Sequence, residues 1–184
     1  MWCLEIFYNQ HMLYYVIQVA TNKESVFCEN VKKLSSFLSD NYKFIHLTRE
    51  LTIRRQGKAF KEIKPVFSSY VFMESQDGLL EGTLTELKKI PGFAKILNSN
   101  NDISPLADHD MSVLQHFLRI GEKIGTSVVR FDENDRIVVV EGPLQGLEGN
   151  IIKVDRRKKR AKVQIDVKGY VHAFDLSFED IGSK

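Results

Sequence analysis

Cysteine is scarce in this chain: of 184 residues, only Cys3 and Cys28 carry a thiol. Two cysteines so far apart in sequence exclude a disulfide framework and a cysteine-rich metal site, and they favour reduced thiols in a reducing compartment. The chain also lacks any apolar run close to the roughly 20 residues of a membrane-spanning helix, and its start lacks the basic residues and cleavage site of a signal peptide. We therefore expect a cytoplasmic protein without a membrane partner.

The residue patterns of enzymes are missing as well. The five histidines are scattered along the chain, at His11, His46, His109, His116 and His172. No glycine-rich phosphate loop, metal-ligand spacing or nucleophile paired with a base accompanies them. His109 and His116 are two helical turns apart, a spacing that favours the flanks of a packed helix over a metal site. The sequence predicts a protein that is not an enzyme and that uses no metal or cofactor.

The composition is that of a globular protein. The chain is 43% hydrophobic and 27% charged, with a formal net charge of +2, which allows one moderate core or two small ones. Residues 1–12 have no clear period, and we interpret them as an N-terminal extension. Met12 directly precedes the first strong strand pattern and is a candidate natural start. The alternative is a real N-terminal strand or arm, because Trp2, Ile6 and Phe7 are costly to leave in water.

Residues 13–119 predict alternating strands and helices. Residues 13–20 are rich in β-branched and aromatic side chains, as is typical of a central strand. Thr21 and Glu24 have the spacing of a capping box, which starts a helix whose apolar positions continue to Leu38. The other predicted elements are strands in KFIHLTREL and AFKEIKPVFSSYVFME around a turn at Gly57, a helix at 78–90, a strand at 94–97 and an amphipathic helix at 109–121. This order indicates a ferredoxin-like split βαβ sheet with helices on one face, an α+β fold.

The C-terminal part has a different pattern. Residues 120–133 are polar and contain glycine without a long period, and we predict a linker there. Residues 134–184 contain four short strands separated by turns. That spacing is typical of a small β-barrel.

A cluster of glycines marks one corner of the predicted barrel. In DRIVVVEGPLQGLEGNIIKVD, a strand is followed by Gly142, Pro143, Gly146 and Gly149. Glycine tolerates the positive φ angles and close backbone approach of such a corner. This segment resembles the KOW motif, and YYVIQVAT, KPVFSSYVFME and IPGFAKILN resemble the N-terminal (NGN) domain of NusG-type transcription elongation factors in order and spacing. The resemblance covers residues 13–182 and implies a non-enzymatic protein with a ferredoxin-like NGN domain and an SH3-like KOW barrel.

The resemblance also implies that the NGN domain grips the clamp helices of RNA polymerase through an apolar patch. The matching positions are Phe67, Tyr70, Phe72, Phe93 and Ile96. Alternation along a strand puts Tyr70 and Phe72 on one face and their neighbours on the other, so that one of the two sets belongs to the core. Most relatives have Pro-Gly where this chain has Ser68 and Ser69, which puts the geometry of the local turn in question.

The most concentrated charge lies in VDRRKKRAKV, between two predicted barrel strands. The candidate RNA-binding residues at this hairpin tip and around it are Lys153, Arg156, Arg157, Lys158, Lys159, Arg160, Lys162 and Lys168. Like charges repel, so the run favours a polyanionic partner, chiefly phosphate oxygens. The alternative is a solvated loop that opposes aggregation. The resemblance favours nascent or leader RNA, with a hairpin as one form and with Tyr170 or His172 stacking on an unpaired base; non-template DNA is a further candidate.

Within the family, the basic hairpin and its surroundings are most similar to the LoaP subgroup of specialised NusG paralogues. That resemblance implies a monomer that promotes processive antitermination in particular long operons, after recognising a nucleic-acid signal near the operon's start. General NusG proteins carry partner-binding aromatics where this chain has Leu144, Leu147 and Lys168, so coupling to termination factor Rho or to the ribosome is in question. Two alternatives stay open: a general NusG elongation factor, and a ribosomal or RNA-chaperone KOW protein that needs no polymerase.

Overall fold

The computed structural model describes residues 12–56, 58–97 and 103–182. The predictions for the N-terminal residues 1–11 and for the turn at Gly57 lie outside the described residues. The strands are β1 (Leu13–Val19), β2 (Lys43–Ile45), β3 (Thr48–Arg55), β4 (Lys58–Pro65), β5 (Tyr70–Ser75), β6 (Phe93–Ile96), β7 (Lys123–Ile124), β8 (Ser127–Phe131), β9 (Ile137–Glu141), β10 (Ile151–Asp155), β11 (Arg160–Val167) and β12 (Tyr170–Asp180). The helices are α1 (Glu24–Leu34), α2 (Ser36–Asn41), α3 (Thr83–Lys89) and α4 (Asp108–Ile120).

Strand β1 lies at the centre of a four-stranded antiparallel sheet with the order β2-β5-β1-β6. Its side chains alternate between two covered faces, which explains why nearly all of them are apolar. Tyr15, Ile17 and Val19 share a buried cluster with side chains of α1, α2 and α3. Tyr14 and Val16 belong to a second cluster on the opposite face. The ferredoxin-like α+β arrangement predicted from the sequence is confirmed.

The predicted capping box at the start of α1 is wrong. Helix α1 begins at Glu24, and its N-cap Lys23 makes no side-chain capping bond. Glu24 is buried and accepts a 2.6 Å hydrogen bond from the backbone N–H of Ser69, while Thr21 Oγ1 lies 2.8 Å from Ser69 Oγ. Ser69 has a φ of +69°, so the turn before β5 exposes an N–H that needs an acceptor. The carboxylate satisfies that distant N–H instead of the helix end.

The long helix predicted from Thr21 to Asp40 is divided at Ser35. The Ser35 side chain accepts a 3.3 Å hydrogen bond from the N–H of Leu38 and so caps α2. A serine hydroxyl competes well for backbone groups at a helix start, which explains the new beginning. No helix in the described part of the chain is long and apolar enough to cross a membrane.

Strands β3 and β4 form a two-stranded ribbon outside the four-stranded sheet, and β3 also pairs with β7, in the order β4-β3-β7. Each of the two strands predicted here, in KFIHLTREL and in AFKEIKPVFSSYVFME, is divided in the structure. The first is divided into β2 and β3, and the second into β4 and β5. The division between β4 and β5 lies at the turn that contains Ser69, because a left-handed backbone conformation cannot continue a strand.

The C-terminal strands form a five-stranded barrel sheet with the order β10-β11-β12-β8-β9. The long β12 pairs antiparallel with β11 and, further along, parallel with β8. The four strands predicted in this part are present. The segment 120–133, expected to be a linker, contains β7 and β8, because Val129 and Phe131 are buried side chains of the barrel. The barrel sheet therefore begins at Ser127.

The barrel packs directly on the sheet of the first domain. One continuous apolar cluster contains side chains of β1 and β5, of α4 and of the barrel strands β11 and β12. The members that carry the contact between the two domains include Val16, Phe67, Phe72, Phe117 and Phe174. The face of the sheet opposite α1, α2 and α3 is consequently covered by α4 and by the barrel.

Gly142 should be the glycine on which the barrel corner depends. It has a φ of +95°, and a Cβ there would lie 2.8 Å from the Cα of Ser127, whereas a Cβ at Gly149 would meet nothing within 4 Å. We expect Gly142→Ala to lower the free energy of unfolding by about 1–3 kcal/mol and Gly149→Ala to change it little. Chemical unfolding of the two variants measures the difference; equal losses would contradict this assignment.

Candidate functional site

The basic run VDRRKKRAKV forms the tip of the hairpin between β10 and β11, as predicted. Asp155 pairs with Arg160 across the two strands, and residues 156–159 make the turn. The Asp155 carboxylate accepts a 2.8 Å hydrogen bond from the N–H of Lys158, which keeps the pKa of that carboxyl below its usual range. Lys159 has a φ of +54°. The turn therefore presents several cations within four consecutive residues.

Two of the tip arginines are engaged by the protein itself. Arg156 Nη1 lies 2.5 Å from Asp135 Oδ1, and its guanidinium carbon lies 3.8 Å from the centroid of the Phe131 ring. Arg160 Nη2 donates a 2.9 Å hydrogen bond to the carbonyl of Thr52 in the ribbon, and only 17% of its side chain is exposed. Arg156 thus lies on the barrel, and Arg160 connects the two domains.

The side chains of four other cations of the hairpin make no hydrogen bond or ion pair within the described residues. They are Lys153, Arg157, Lys159 and Lys162. Lys153 lies opposite Lys162 in the ladder between β10 and β11. A surface pocket of about 110 Å³ is lined by Lys153, Lys158, Arg160 and Lys162 and by the carboxylates of Asp155 and Asp175. Four cations against two carboxylates leave this pocket positively charged.

Lys168 does not belong to this basic surface. It follows the far end of β11, roughly 23 Å along the strand from Arg160 at about 3.3 Å per residue. Its ammonium donates a 2.6 Å hydrogen bond to the carbonyl of Ser104 and a weaker one to Leu97, while its N–H donates to Asp110. Burial lowers its pKa. Its contacts are those of a connection between the two domains.

The five apolar positions expected to contact polymerase lie on two faces of the sheet. Phe67 and Phe72, each 2% exposed, and the half-buried Tyr70 face the barrel. Ile96 and Phe93 belong to the cluster beneath the helices. The reason is the register, because Phe72 pairs with Val16 on β1 whereas Ile96 pairs with its neighbour Ile17. The structure brings together three of these residues and places the other two behind them.

Rings of the barrel cover Phe67 and Tyr70 directly, while Phe72 lies beside Phe67 in the same buried cluster. The Phe67 ring lies 5.2 Å from that of His172 and 5.7 Å from that of Phe174, and Tyr70 lies 5.2 Å from His172, all edge to face. Arg49 of β3 lies over the Phe174 ring at 5.5 Å. We call this region, formed by Phe67, Tyr70 and Phe72, the covered face. His172 is packed against it rather than free to stack on a base.

Polar groups reinforce the contact at positions that the sequence analysis missed. Ser177 Oγ donates a 3.0 Å hydrogen bond to the carbonyl of Glu50, and the Nε2–H of His116 donates a 2.8 Å bond to the carbonyl of Pro143. Both acceptors are main-chain carbonyls, which every residue has, so the sequence does not indicate that these two bonds form. Leu144 and Leu147, compared above with partner-binding aromatics, are buried in the cluster shared by the two domains.

The glycine corner has the expected character at two of its glycines. Gly142 and Gly146 have φ angles of +95° and +85°, while Gly149 lies in a short 3-10 turn without a positive φ. Pro143 is buried next to them. This corner lies against α4, since a Cβ at Gly146 would meet the His116 ring at 3.9 Å.

Comparisons with known proteins agree on one family. Residues 12–115 match the family model described as transcription termination factor NusG. The chain is 21% identical over 174 residues to the Transcription termination/antitermination protein NusG of Rickettsia felis, covering 91% of this chain and 88% of that protein. It is 23% identical over 178 residues to the protein of the same name from Buchnera aphidicola, covering 94% and 97%. A solved structure titled "Domain interaction in Thermotoga maritima NusG" has the same fold, with a TM-score of 0.52, 17% identity and coverage of 90% and 93%.

The contact of His172 with the covered face should make stability depend on pH. Burial lowers the pKa of His172, and the carboxylate of Asp166 only partly opposes this. The unfolded chain then binds a proton near the ordinary histidine pKa of about 6.5 while the folded chain does not, so stability is lost as pH falls through that value.

We expect His172→Gln to make the free energy of unfolding depend less on pH between about pH 5 and 7. The pKa of His46 is also lowered by burial, but His46 is present in both proteins, so the difference between them reports His172. An identical pH slope in the two proteins would contradict the assignment.

Proposed function

The chain belongs to the NusG family of transcription termination/antitermination factors, and we propose that it is a specialised antitermination factor that binds RNA polymerase with its N-terminal domain and RNA with its basic hairpin. The observation that carries the proposal is the set of hairpin cations, Lys153, Arg157, Lys159 and Lys162, whose side chains make no hydrogen bond or ion pair within the described residues. In this proposal the factor acts as a monomer on particular long operons, as its resemblance to the LoaP subgroup implies. In this proposal the N-terminal domain comprises residues 13–119, and the barrel begins at Ser127.

The arrangement of charge supports RNA as the partner of the hairpin. Arg157, Lys159, Lys153 and Lys162 repel one another, and this repulsion opposes folding unless a polyanion neutralises it. Phosphate oxygens spaced along a nucleic-acid backbone match such a surface, and each neutralised phosphate adds affinity by releasing a counterion. Hairpin RNA is favoured because a protruding basic turn follows the backbone of a folded strand without reading its bases.

The covered face is the proposed polymerase contact. Phe67, Tyr70 and Phe72 form an apolar surface on a rigid sheet, which suits the packing of partner helices such as the polymerase clamp helices. Phe93 and Ile96 support this surface from behind and are not part of it in our proposal. The barrel must leave the covered face before a partner can bind there, because the two would occupy the same surface.

A general NusG role is the second candidate. It is favoured by curated relatives of that name that match more than 90% of this chain at 20–23% identity. A general factor would couple polymerase to Rho or to the ribosome through its barrel. Leu144 and Leu147 are buried against the first domain, so this role also requires the barrel to separate.

RNA binding by the hairpin should be strongly dependent on salt. In the full chain, the double variant Arg157→Ala and Lys159→Ala should lower the slope of log K against log salt by about 0.7–0.9 per lost phosphate contact. The matched control replaces Lys23 and Lys95, two exposed cations of the N-terminal domain, with alanine. Electrophoretic shift of leader RNA over a salt series measures both, and equal slopes for the two double variants would contradict the proposed site.

Polymerase binding should depend on Tyr70, which is a better probe than Phe67. Phe67→Ala would remove a fully packed ring and destabilise the fold by about 3–5 kcal/mol, so its loss of binding would be uninformative. We expect Tyr70→Ala to weaken capture by purified polymerase about tenfold or more, as truncation of an aromatic anchor does. Leu34→Ala, an exposed apolar change on the helical side, is the control. Unchanged or tighter binding by Tyr70→Ala would show that Tyr70 serves only the contact with the barrel.

A further inference from the structure

The outer face of the barrel sheet carries an ordered set of charges beside the basic turn. Strand pairing places Lys153 of β10, Lys162 of β11 and Asp175 of β12 in one row across three strands. Two residues further along, Asp155 of β10 and Arg160 of β11 oppose each other in the next row. Side chains two residues apart share one face of a sheet, and all five line the same surface pocket. Acceptors and donors therefore alternate over a short distance in this pocket.

The two carboxylates of the pocket differ in what they bond. Asp155 Oδ1 accepts the 2.8 Å hydrogen bond from the N–H of Lys158 and so belongs to the turn. Asp175 makes no hydrogen bond within the part of the chain that the structure describes. Its ion-pair partner, Arg160 Nη1, lies 3.8 Å from Oδ2, which is too far for a hydrogen bond. The Asp175 side chain is 32% exposed, so its oxygens are available to a ligand in the pocket.

A carboxylate is unfavourable at a surface that binds only phosphate. Phosphate oxygens are anionic acceptors, and Asp175 repels them. The repulsion is offset only if the RNA donates hydrogen bonds to this carboxylate. The base edges that RNA exposes in unpaired regions carry such donors. Guanine alone among the four bases has two adjacent donors on its Watson–Crick edge, N1–H and N2–H, and these match the two oxygens of a carboxylate.

Lys162 supplies the third contact that guanine requires. Its position is directly opposite Asp175 in the ladder between β11 and β12, where the Cβ atoms of opposing residues are about 4.5–5.5 Å apart. The ammonium of Lys162 makes no hydrogen bond or ion pair among the described residues. An ammonium only donates, so it suits guanine O6, which lies next to N1–H. Adenine has an amino group in place of O6 and would present a donor to this donor.

We propose that this pocket binds an unpaired guanine of the RNA, with Asp175 accepting from N1–H and N2–H and Lys162 donating to O6. The inference rests on the proposed RNA binding by the hairpin and adds that the same site reads a base. The pocket volume of about 110 Å³ is several times the roughly 30 Å³ of one water molecule, which admits the edge of a base. The guanine must be unpaired, because a Watson–Crick pair occupies the same edge.

The neighbouring cations then have a separate role. Arg157 and Lys159 of the turn contact backbone phosphates of the adjacent stem without regard to sequence. Lys153, at the other side of Lys162 in the row, is placed to bind the phosphate next to the guanine. The RNA that fits both parts has a stem for the turn and a guanine in the adjoining loop or bulge for the pocket.

The experiment measures binding of the full chain to a series of stem-loop RNAs by electrophoretic shift at constant ionic strength. All members share one stem and a loop of adenosines, and each loop position in turn is changed to guanosine. At the best position we expect guanosine to tighten binding about tenfold or more. Inosine and uridine present an acceptor beside one donor but lack the N2 amino group, so they should lie between guanosine and adenosine.

Two matched variants test the two carboxylates of the pocket. Asp175→Asn keeps the size of the side chain but replaces one acceptor with a donor, and it should lose the preference for guanosine. Asp155→Asn removes the same charge from the same pocket while an amide oxygen is still able to accept from Lys158. It should tighten binding to every loop and keep the preference for guanosine. Circular dichroism verifies that both variants fold, and the base series on the parent chain needs no variant.

Charge balance is the competing explanation for Asp175, which also lies close enough to Arg49 to oppose the lowering of its pKa. If Asp175 serves only that purpose, Asp175→Asn changes the affinity for every loop by one factor, and the inference fails. Equal binding of all loops by the parent chain would leave RNA binding intact and overturn the guanine pocket. Displacement of the RNA by guanosine monophosphate at a similar concentration would assign the pocket to a free nucleotide and overturn it as well. Absence of RNA binding at low salt would contradict the proposed function itself.

Discussion

The packing of Phe67 is the interaction on which the closed arrangement of the two domains depends. Its ring meets Phe72 of the sheet at 5.3 Å, Phe117 of α4 at 6.1 Å and two rings of the barrel, each edge to face. Such pairs contribute about 0.5–1.5 kcal/mol each beyond the area they bury. One side chain therefore links the sheet, the helix and the barrel. The covered face is apolar for this reason, and the same property makes it suited to a partner.

Polar contacts between the two domains surround the packing of Phe67. The side chains of Arg160, Lys168 and Ser177 each donate a hydrogen bond to a main-chain carbonyl of the first domain. They fix the orientation of the barrel on the first domain. Apolar packing and directed polar bonds thus act together in the contact between the domains.

Much of this architecture was predictable from the sequence because the patterns involved are local. The strand alternation of LYYVIQV, the glycine corner at Gly142 and the basic turn each depend on neighbours in the chain. The errors concern long-range contacts. Glu24 has capping-box spacing but bonds Ser69, which lies 45 residues away.

The assignment of residues to surfaces failed for the same reason. Lys168 is close in sequence to the other cations, yet β11 carries it to the far end of the barrel and into contact with Ser104. Phe93 and Ile96 belong to a matching motif, but their register with β1 places them on the helical face. Register and domain packing decide which side chains share a surface, and neither is encoded in local spacing. The contact between the domains is the largest feature that the sequence pattern left open.

In our proposal, the barrel and RNA polymerase compete for one face of the sheet. Hydroxyl-radical footprinting of the free chain and of its polymerase complex tests it directly, with the labelling of Phe72 on the sheet and of His172 and Phe174 on the barrel as the readout. We expect all three side chains to be protected from labelling in the free chain. In the polymerase complex, Phe72 should stay protected while His172 and Phe174 become labelled. Continued protection of His172 and Phe174 in a saturated complex would show that polymerase binds elsewhere and that the closed arrangement is the active one.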